Sequence, residues 1–226
     1  MNEFDQFAKD YSDKMEDSIR FLGKEHSFFT KIKAEKITEL LGIVNQERLK
    51  ILDAGCGVGL MHSFFDNTIF DVYGTDISLE SIKVAEKEYP KSRFSHFNGD
   101  RFPYKDNYFD SAFTICVLHH IELSDRLHFI SEICRVVKSS GLIIIAEHNK
   151  FNPITQYVVK TSPVDVNAKL LANKEAKSLL RENGVENIQS HYILCTPFEY
   201  WWAKILENSL KKIPIGAQYL TWGYNI

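Results

Sequence analysis

Asp53-Ala54-Gly55-Cys56-Gly57-Val58-Gly59 is the segment that most narrows what this chain can become. It follows an apolar run beginning at Ile51 and precedes a stretch with helical spacing. Glycines at such a junction let the backbone turn tightly and let a ligand lie against main-chain amides with no Cβ in the way. The spacing is G-x-G-x-G, not the G-x-G-x-x-G of dinucleotide binding, and no Gly-Lys-Ser/Thr follows as it would in a phosphate-cradling loop. Taken alone, the segment also suits a plain tight turn between a strand and a helix.

The surrounding pattern sets that turn in a fold. Residues 1–46 are charged, with Phe4, Phe7, Ala8 and Tyr11, then Ile32, Ile37, Leu40 and Leu41, at helical spacing, which predicts two or three helices forming an N-terminal cap. From Lys50 onward, apolar runs over 51–55, 71–77, 93–99, 110–118 and 142–148 predict strands. Between them 60–67, 79–89 and 124–138 predict helices, the last closed by Gly141. Such alternation makes right-handed βαβ units, hence an α/β fold with a mostly parallel sheet and helices on both faces. Ligands of such sheets bind beyond the carboxyl ends of the strands. Further helices over 154–160, 173–184 and 198–212 and strands over 185–195 and 217–224 bring the predicted strands to seven. Residues 47–226 therefore read as one domain, with insertions over 149–216.

Composition removes several function classes. With 226 residues, 44% hydrophobic and 25% charged, the chain can bury a full core and is too apolar for wholesale disorder. A net charge of −3 provides no broad basic field, so no nucleic-acid partner is expected. Cys56, Cys116, Cys134 and Cys195 never form a CxxC pair, which argues against a zinc cluster or a thioredoxin-type motif. The acidic N-terminus lacks the apolar stretch of a signal peptide, and apolar runs such as 142–146 fall far short of the ~20 residues of a membrane span. A soluble, cytoplasmic protein is expected.

Two carboxylates sharpen the glycine loop. Asp76 ends the second predicted strand 21 residues after Gly55 (76 − 55), where a carboxylate can accept bonds from both hydroxyls of a ribose. Asp100 ends the third and could accept from an exocyclic amine. Either could instead cap a helix or a turn. In combination these residues resemble class I S-adenosylmethionine-dependent methyltransferases over about 48–150: DAGCGVG is similar to motif I, Asp76 to the ribose acid, and Gly99-Asp100 with Phe102-Pro103 to the adenine-side loop. Tyr108-Phe109-Asp110 followed by VLHHI (117–121) resembles motif IV, and 135–147 resembles the helix–turn–strand after it. The resemblance implies a Rossmann-like fold and S-adenosyl-L-methionine as cofactor. By it, Asp53 and Gly55, Cys56, Gly57 and Gly59 would hold the methionine part, and Asp76 the ribose. Ile77, Asp100 and Arg101 would flank the adenine, Cys116 would approach the sulfonium, and Tyr11 would reach over the cofactor from a helical lid.

Methyl transfer from a sulfonium is an in-line displacement, so the protein mainly positions the acceptor and excludes water, with a base where one is needed. His119, His148 and His120 stand at the ends of the fourth and fifth predicted strands as base candidates, His120 also suiting a packing or capping role. Some quinone-pathway methyltransferases resemble this chain around motif IV but carry acidic metal ligands where Cys116 and His119 stand. A zinc set of Cys116, His119 and His120 lacks a clear fourth ligand, and no metal is expected.

Methyl transfer to an oxygen or nitrogen of a small molecule (a sugar, glycan precursor or other metabolite) is the expected activity. The competing readings are a nicotinamide-dependent oxidoreductase and a non-catalytic cofactor-binding relative. The aromatic-rich composition (16 Phe, 10 Tyr, 3 Trp) concentrates in the cap and the tail, suggesting walls around an acceptor site. The 198–212 helix, with Phe198, Tyr200, Trp201 and Trp202, is open to three readings: core cover, acceptor wall or homodimer face, and peripheral membrane contact.

Overall fold

Along the fifth strand, Leu142, Ile144 and Ala146 pack on one side while Ile143 and Ile145 pack on the other, and all are buried. A strand apolar on both faces needs helices on both faces, which is the condition for a parallel sheet. The computed structural model describes residues 3–8, 10–42, 48–196 and 200–226. Its strands are β1 (Leu49–Ala54), β2 (Phe70–Asp76), β3 (Arg93–His96), β4 (Phe109–Ile115), β5 (Val137–His148), β6 (Glu186–Ile193) and β7 (Gln218–Tyr224). They form one sheet in the order β3-β2-β1-β4-β5-β7-β6. β7 runs antiparallel to both of its neighbours, and the other pairs are parallel. The strand order reverses between β1 and β4, which opens a crevice at their carboxyl ends.

The helices are α1 (Tyr11–Ile19), α2 (His26–Leu41), α3 (Leu79–Glu88), α4 (Arg126–Val136), α5 (Pro153–Thr161), α6 (Asn173–Glu182) and α7 (Trp201–Leu210). Ile130 and Ile133 of α4 and Ala176 and Leu180 of α6 pack with Leu52, Ile143 and Ile145 on one face. Ala34 and Ile37 of α2 pack with Ile51, Val72 and Ile144 on the other. Ser78 caps α3, its Oγ accepting from Ser81 N at 3.1 Å, and Asn152 caps α5 ahead of Pro153, accepting from Thr155 N at 3.0 Å. The N-terminal helices and the seven-stranded Rossmann-like sheet agree with expectation; the proposed 46/47 boundary lies outside the described residues.

Several local expectations are corrected. The stretch read as a helix over 60–67 is a 3-10 helix, Leu60–Phe64. α4 stops at Val136 rather than running to 138, because Val137 already pairs with Phe109. Ser140 takes the left-handed conformation there (φ 66°), while Gly141 is needed for close approach: a Cβ on it would lie 2.5 Å from Val137 Cγ1. β3 ends at His96, short of the predicted Gly99. The tail aromatics divide: Tyr219 and Trp222 are buried in the core, whereas Tyr200, Trp201 and Trp202 are exposed. α7 buries only Ala203 among its described residues and its aromatics do not line the cavity below, so it is neither core cover nor acceptor wall; Phe198 lies outside the described residues. Among the described residues no helix is long and apolar enough to cross a membrane.

Candidate cofactor and acceptor site

The loop after β1 closes onto β2 through Gly55 N, which donates to Thr75 O at 2.8 Å. Gly55 has φ +80°, and a Cβ there would lie 2.5 Å from Val117 Cγ2, so only glycine fits. Gly57, at φ +52°, meets no protein atom within 4 Å of where a Cβ would stand, and its open side belongs to a cavity. Asp76 ties this loop to α3: its Oδ2 accepts from Gly57 N and its Oδ1 from Ser78 N, each at 2.8 Å. Both oxygens retain a lone pair for a ligand hydroxyl. Asp53, also buried, has His62 Nε2 3.4 Å from its Oδ2. Burial pushes both carboxyls above the usual aspartate range, the interactions with the Gly57 and Ser78 amides and with His62 opposing it.

A cavity of about 470 Å³ runs over these groups. Its lining includes Asp53, Gly55, Cys56, Gly57, Asp76 and Ile77 on the sheet side and Tyr11, Phe4 and Phe7 from the cap. At the far end stand Cys116, His119, His120 and His148. The cap is tied down by Asp5, whose Oδ1 accepts from Ser78 Oγ at 2.8 Å, and by an edge contact of Phe4 on His120 at 5.0 Å.

Three predicted residues do not reach the cavity. The side chains of Asp100 and Arg101 are 80% and 67% exposed and face His128 and Asp106. β3 ends four residues before Asp100, and the intervening turn carries the pair outward. Gly99, Glu122 and Asp125 line that end of the cavity instead. Gly59 is a packing glycine, its missing Cβ leaving room for Tyr89, Ala85 and Phe94.

The histidines form one cluster, with His119 buried and His120 and His148 half-buried. His119 Nδ1 lies 2.7 Å from Glu147 Oε2 and its Nε2 3.3 Å from Asp165 Oδ1, so both ring nitrogens are engaged. Burial alone would lower its pKa, but the two carboxylates push it up to about 10, which leaves His119 protonated and without a lone pair at neutral pH. Glu147 and Asp165 are held below their usual range against burial by the same histidine contacts. His120 Nε2 also lies 3.3 Å from Asp165 Oδ1. His148 behaves oppositely to His119: burial and the neighbouring His119 charge lower it to about 4, so it is neutral. Its Nδ1 lies 3.3 Å from Gln218 Nε2.

Sequence reasoning missed Asp165, Gln218 and Lys33. Lys33 of α2 is 6% exposed, lines the cavity, and pairs with no carboxylate among the described residues. In the sequence it looks like one more charge on a solvated helix, and only its place four residues before the buried Ile37 hinted at an inward face.

Comparison with known proteins agrees with this fold. A family profile described as a methyltransferase domain matches residues 52–145. An uncharacterized protein of Methanocaldococcus jannaschii is 28% identical over 219 residues, covering 91% of this chain and 92% of its own. A ubiquinone biosynthesis O-methyltransferase of Dinoroseobacter shibae is 25% identical over 187 residues, 76% of this chain and 72% of that one. Among solved structures, a SAM-dependent methyltransferase from Archaeoglobus fulgidus superposes with a TM-score of 0.70 at 14% identity, over 92% and 97% of the two chains. The sheet order and the glycine loop thus define a Rossmann-like methyltransferase fold. The chain contains a match to the methyltransferase-domain family over residues 52–145 and has the fold of S-adenosylmethionine-dependent methyltransferases, whose cofactor is S-adenosyl-L-methionine.

Proposed function

We propose that the enzyme methylates an oxygen or nitrogen of a small-molecule acceptor held beyond Cys116 and Val117. One observation carries this reading: a single cavity joins the glycine loop and Asp76 at one end to His148, Gln218 and Thr155 at the other. Its size falls in the ~300–1,000 Å³ range of small-ligand pockets. Bound there, the cofactor supplies an electrophilic methyl group on a good leaving group.

On this reading Asp76 accepts hydrogen bonds from the ribose, and the Gly55–Gly57 backbone takes the methionine part beside Asp53. The unpaired ammonium of Lys33 meets the carboxylate, Ile77 flanks the base and Tyr11 covers it. Asp100 and Arg101 take no part. Apolar walls from Val158, Val164 and Leu194 suit a compact acceptor, and the similarity to an O-methyltransferase supports oxygen as the methylated atom.

His148 is the proton acceptor on this reading. Gln218 engages Nδ1, so Nε2 is the nitrogen left for the acceptor; for Nε2 to take a proton, the Gln218 amide turns over from the orientation with its nitrogen at Nδ1 and presents its oxygen to Nδ1–H instead. His119, with both nitrogens taken, is a positioning residue. A panel of phenols, hydroxy acids, sugars and amines, incubated with methyl-labelled cofactor, tests the acceptor class: label in a small molecule is expected, and label only in protein or nucleic acid would sink it. With the acceptor found, His148→Ala is expected to lower kcat by ~10²–10⁴-fold. Cofactor affinity should stay unchanged, whereas an unchanged kcat would remove His148 from the reaction.

A further inference from the structure

We propose that His119, His120 and Asp165 bind a divalent transition-metal ion of the zinc type at the acceptor end of the cavity. Their donor atoms all lie within 4.8 Å of one another, and all three residues line the cavity. Both imidazole Nε2 atoms stand 3.3 Å from Asp165 Oδ1. That spacing is long for a charge-assisted hydrogen bond, which prefers ~2.7–2.9 Å. It matches the edge of a tetrahedron, about 3.3–3.5 Å, built on metal–nitrogen and metal–oxygen distances of ~2.0–2.2 Å.

Glu147 supplies the second feature of a built site. Its Oε2 lies 2.7 Å from His119 Nδ1, the nitrogen pointing away from Asp165, and its Oε1 accepts from Leu118 N at 2.7 Å. A carboxylate holding the far nitrogen of a histidine fixes the ring, and binding of the metal displaces the proton that Nε2 carries in the metal-free protein, so that Nε2 presents its lone pair to the ion. The buried Asp165 carboxylate lies against both imidazoles at this spot, and a divalent ion would neutralise it. Two imidazoles and one carboxylate are a borderline donor set that suits zinc, cobalt or ferrous iron better than magnesium or calcium. Cys116 is not needed, because Asp165 arrives from the loop after α5 to complete the set.

Three protein ligands leave a fourth position open. Resting on the methyl-transfer reading above, that position would take an oxygen-donor acceptor such as a phenol, enol or hydroxy acid.

Untagged protein, stripped with a chelator and titrated with Co²⁺, tests the proposal without any acceptor. One equivalent is expected to bind, with visible d–d absorption of tetrahedral intensity. His120→Ala and Asp165→Ala should abolish the absorption, Glu147→Gln should weaken binding ~10–100-fold, and the surface variant His96→Ala should change nothing. Circular dichroism checks each fold; if Asp165→Ala unfolds, His120→Ala decides. Absent absorption in folded wild type, or full absorption in folded His120→Ala, overturns the metal site. Cofactor calorimetry on the same samples separates this from the methyl-transfer reading: cofactor binding without Co²⁺ binding removes the metal alone.

Discussion

Asp76→Ala is expected to weaken S-adenosylmethionine binding roughly tenfold to a hundredfold by calorimetry, the loss that follows from hydrogen bonds to a charged group worth ~1.5–3 kcal/mol. The upper end is the better expectation, since the same carboxylate accepts from Gly57 N and Ser78 N at 2.8 Å. Removing it leaves two amides at the cofactor's edge without their acceptor and loosens the glycine loop. Asp100→Ala is the matched control: its side chain is 80% exposed, and affinity should not change. Equal losses at the two positions would mean that the cofactor lies nearer the β3 end than the cavity indicates.

The second large effect is on stability. Glu147 is fully buried and accepts from Leu118 N while holding His119 Nδ1, each at 2.7 Å. Glu147→Ala strips a buried cation of one of its two carboxylates and leaves an amide unpartnered. Breaking a buried pair in this way costs ~3–5 kcal/mol. In a chain of this size each kcal/mol moves Tm by ~2–4 °C, so a fall of roughly 6–20 °C is expected in thermal denaturation. Glu147→Gln keeps an acceptor for Leu118 N and should lose less. An alanine variant that melts with the wild type would show that His119 is not held as a buried ion.

What the sequence made legible was local and periodic. The glycine loop, Asp76 at the end of β2 and the apolar alternation of the core strands each depend on neighbours in the chain, and the structure keeps them together. The misreadings share a different cause. Helical spacing runs on through Val136 and Val137, yet the chain turns there because Val137 pairs with Phe109 of β4, a long-range hydrogen-bonding choice that no local pattern records. Asp100 and Arg101 miss the cavity because β3 ends at His96 and not at Gly99. Asp165 and Lys33 were invisible for the converse reason: each sits in an ordinary charged or polar stretch, and only the tertiary fold brings Asp165 against His119, 46 residues earlier. The aromatic excess also divided by tertiary context, with Phe4, Phe7 and Tyr11 lining the cavity while Trp222 went to the core and Trp201 to the surface.

The central claim is that this one cavity holds the cofactor and presents its sulfur to the histidine end. A crystal structure with S-adenosylhomocysteine measures that directly. The expected density places the ribose on Asp76, the amino-acid part beside Asp53 and Lys33, and the sulfur toward Cys116 and Val117. Density with the ribose away from Asp76, or a ligand bound outside the cavity, would contradict the account.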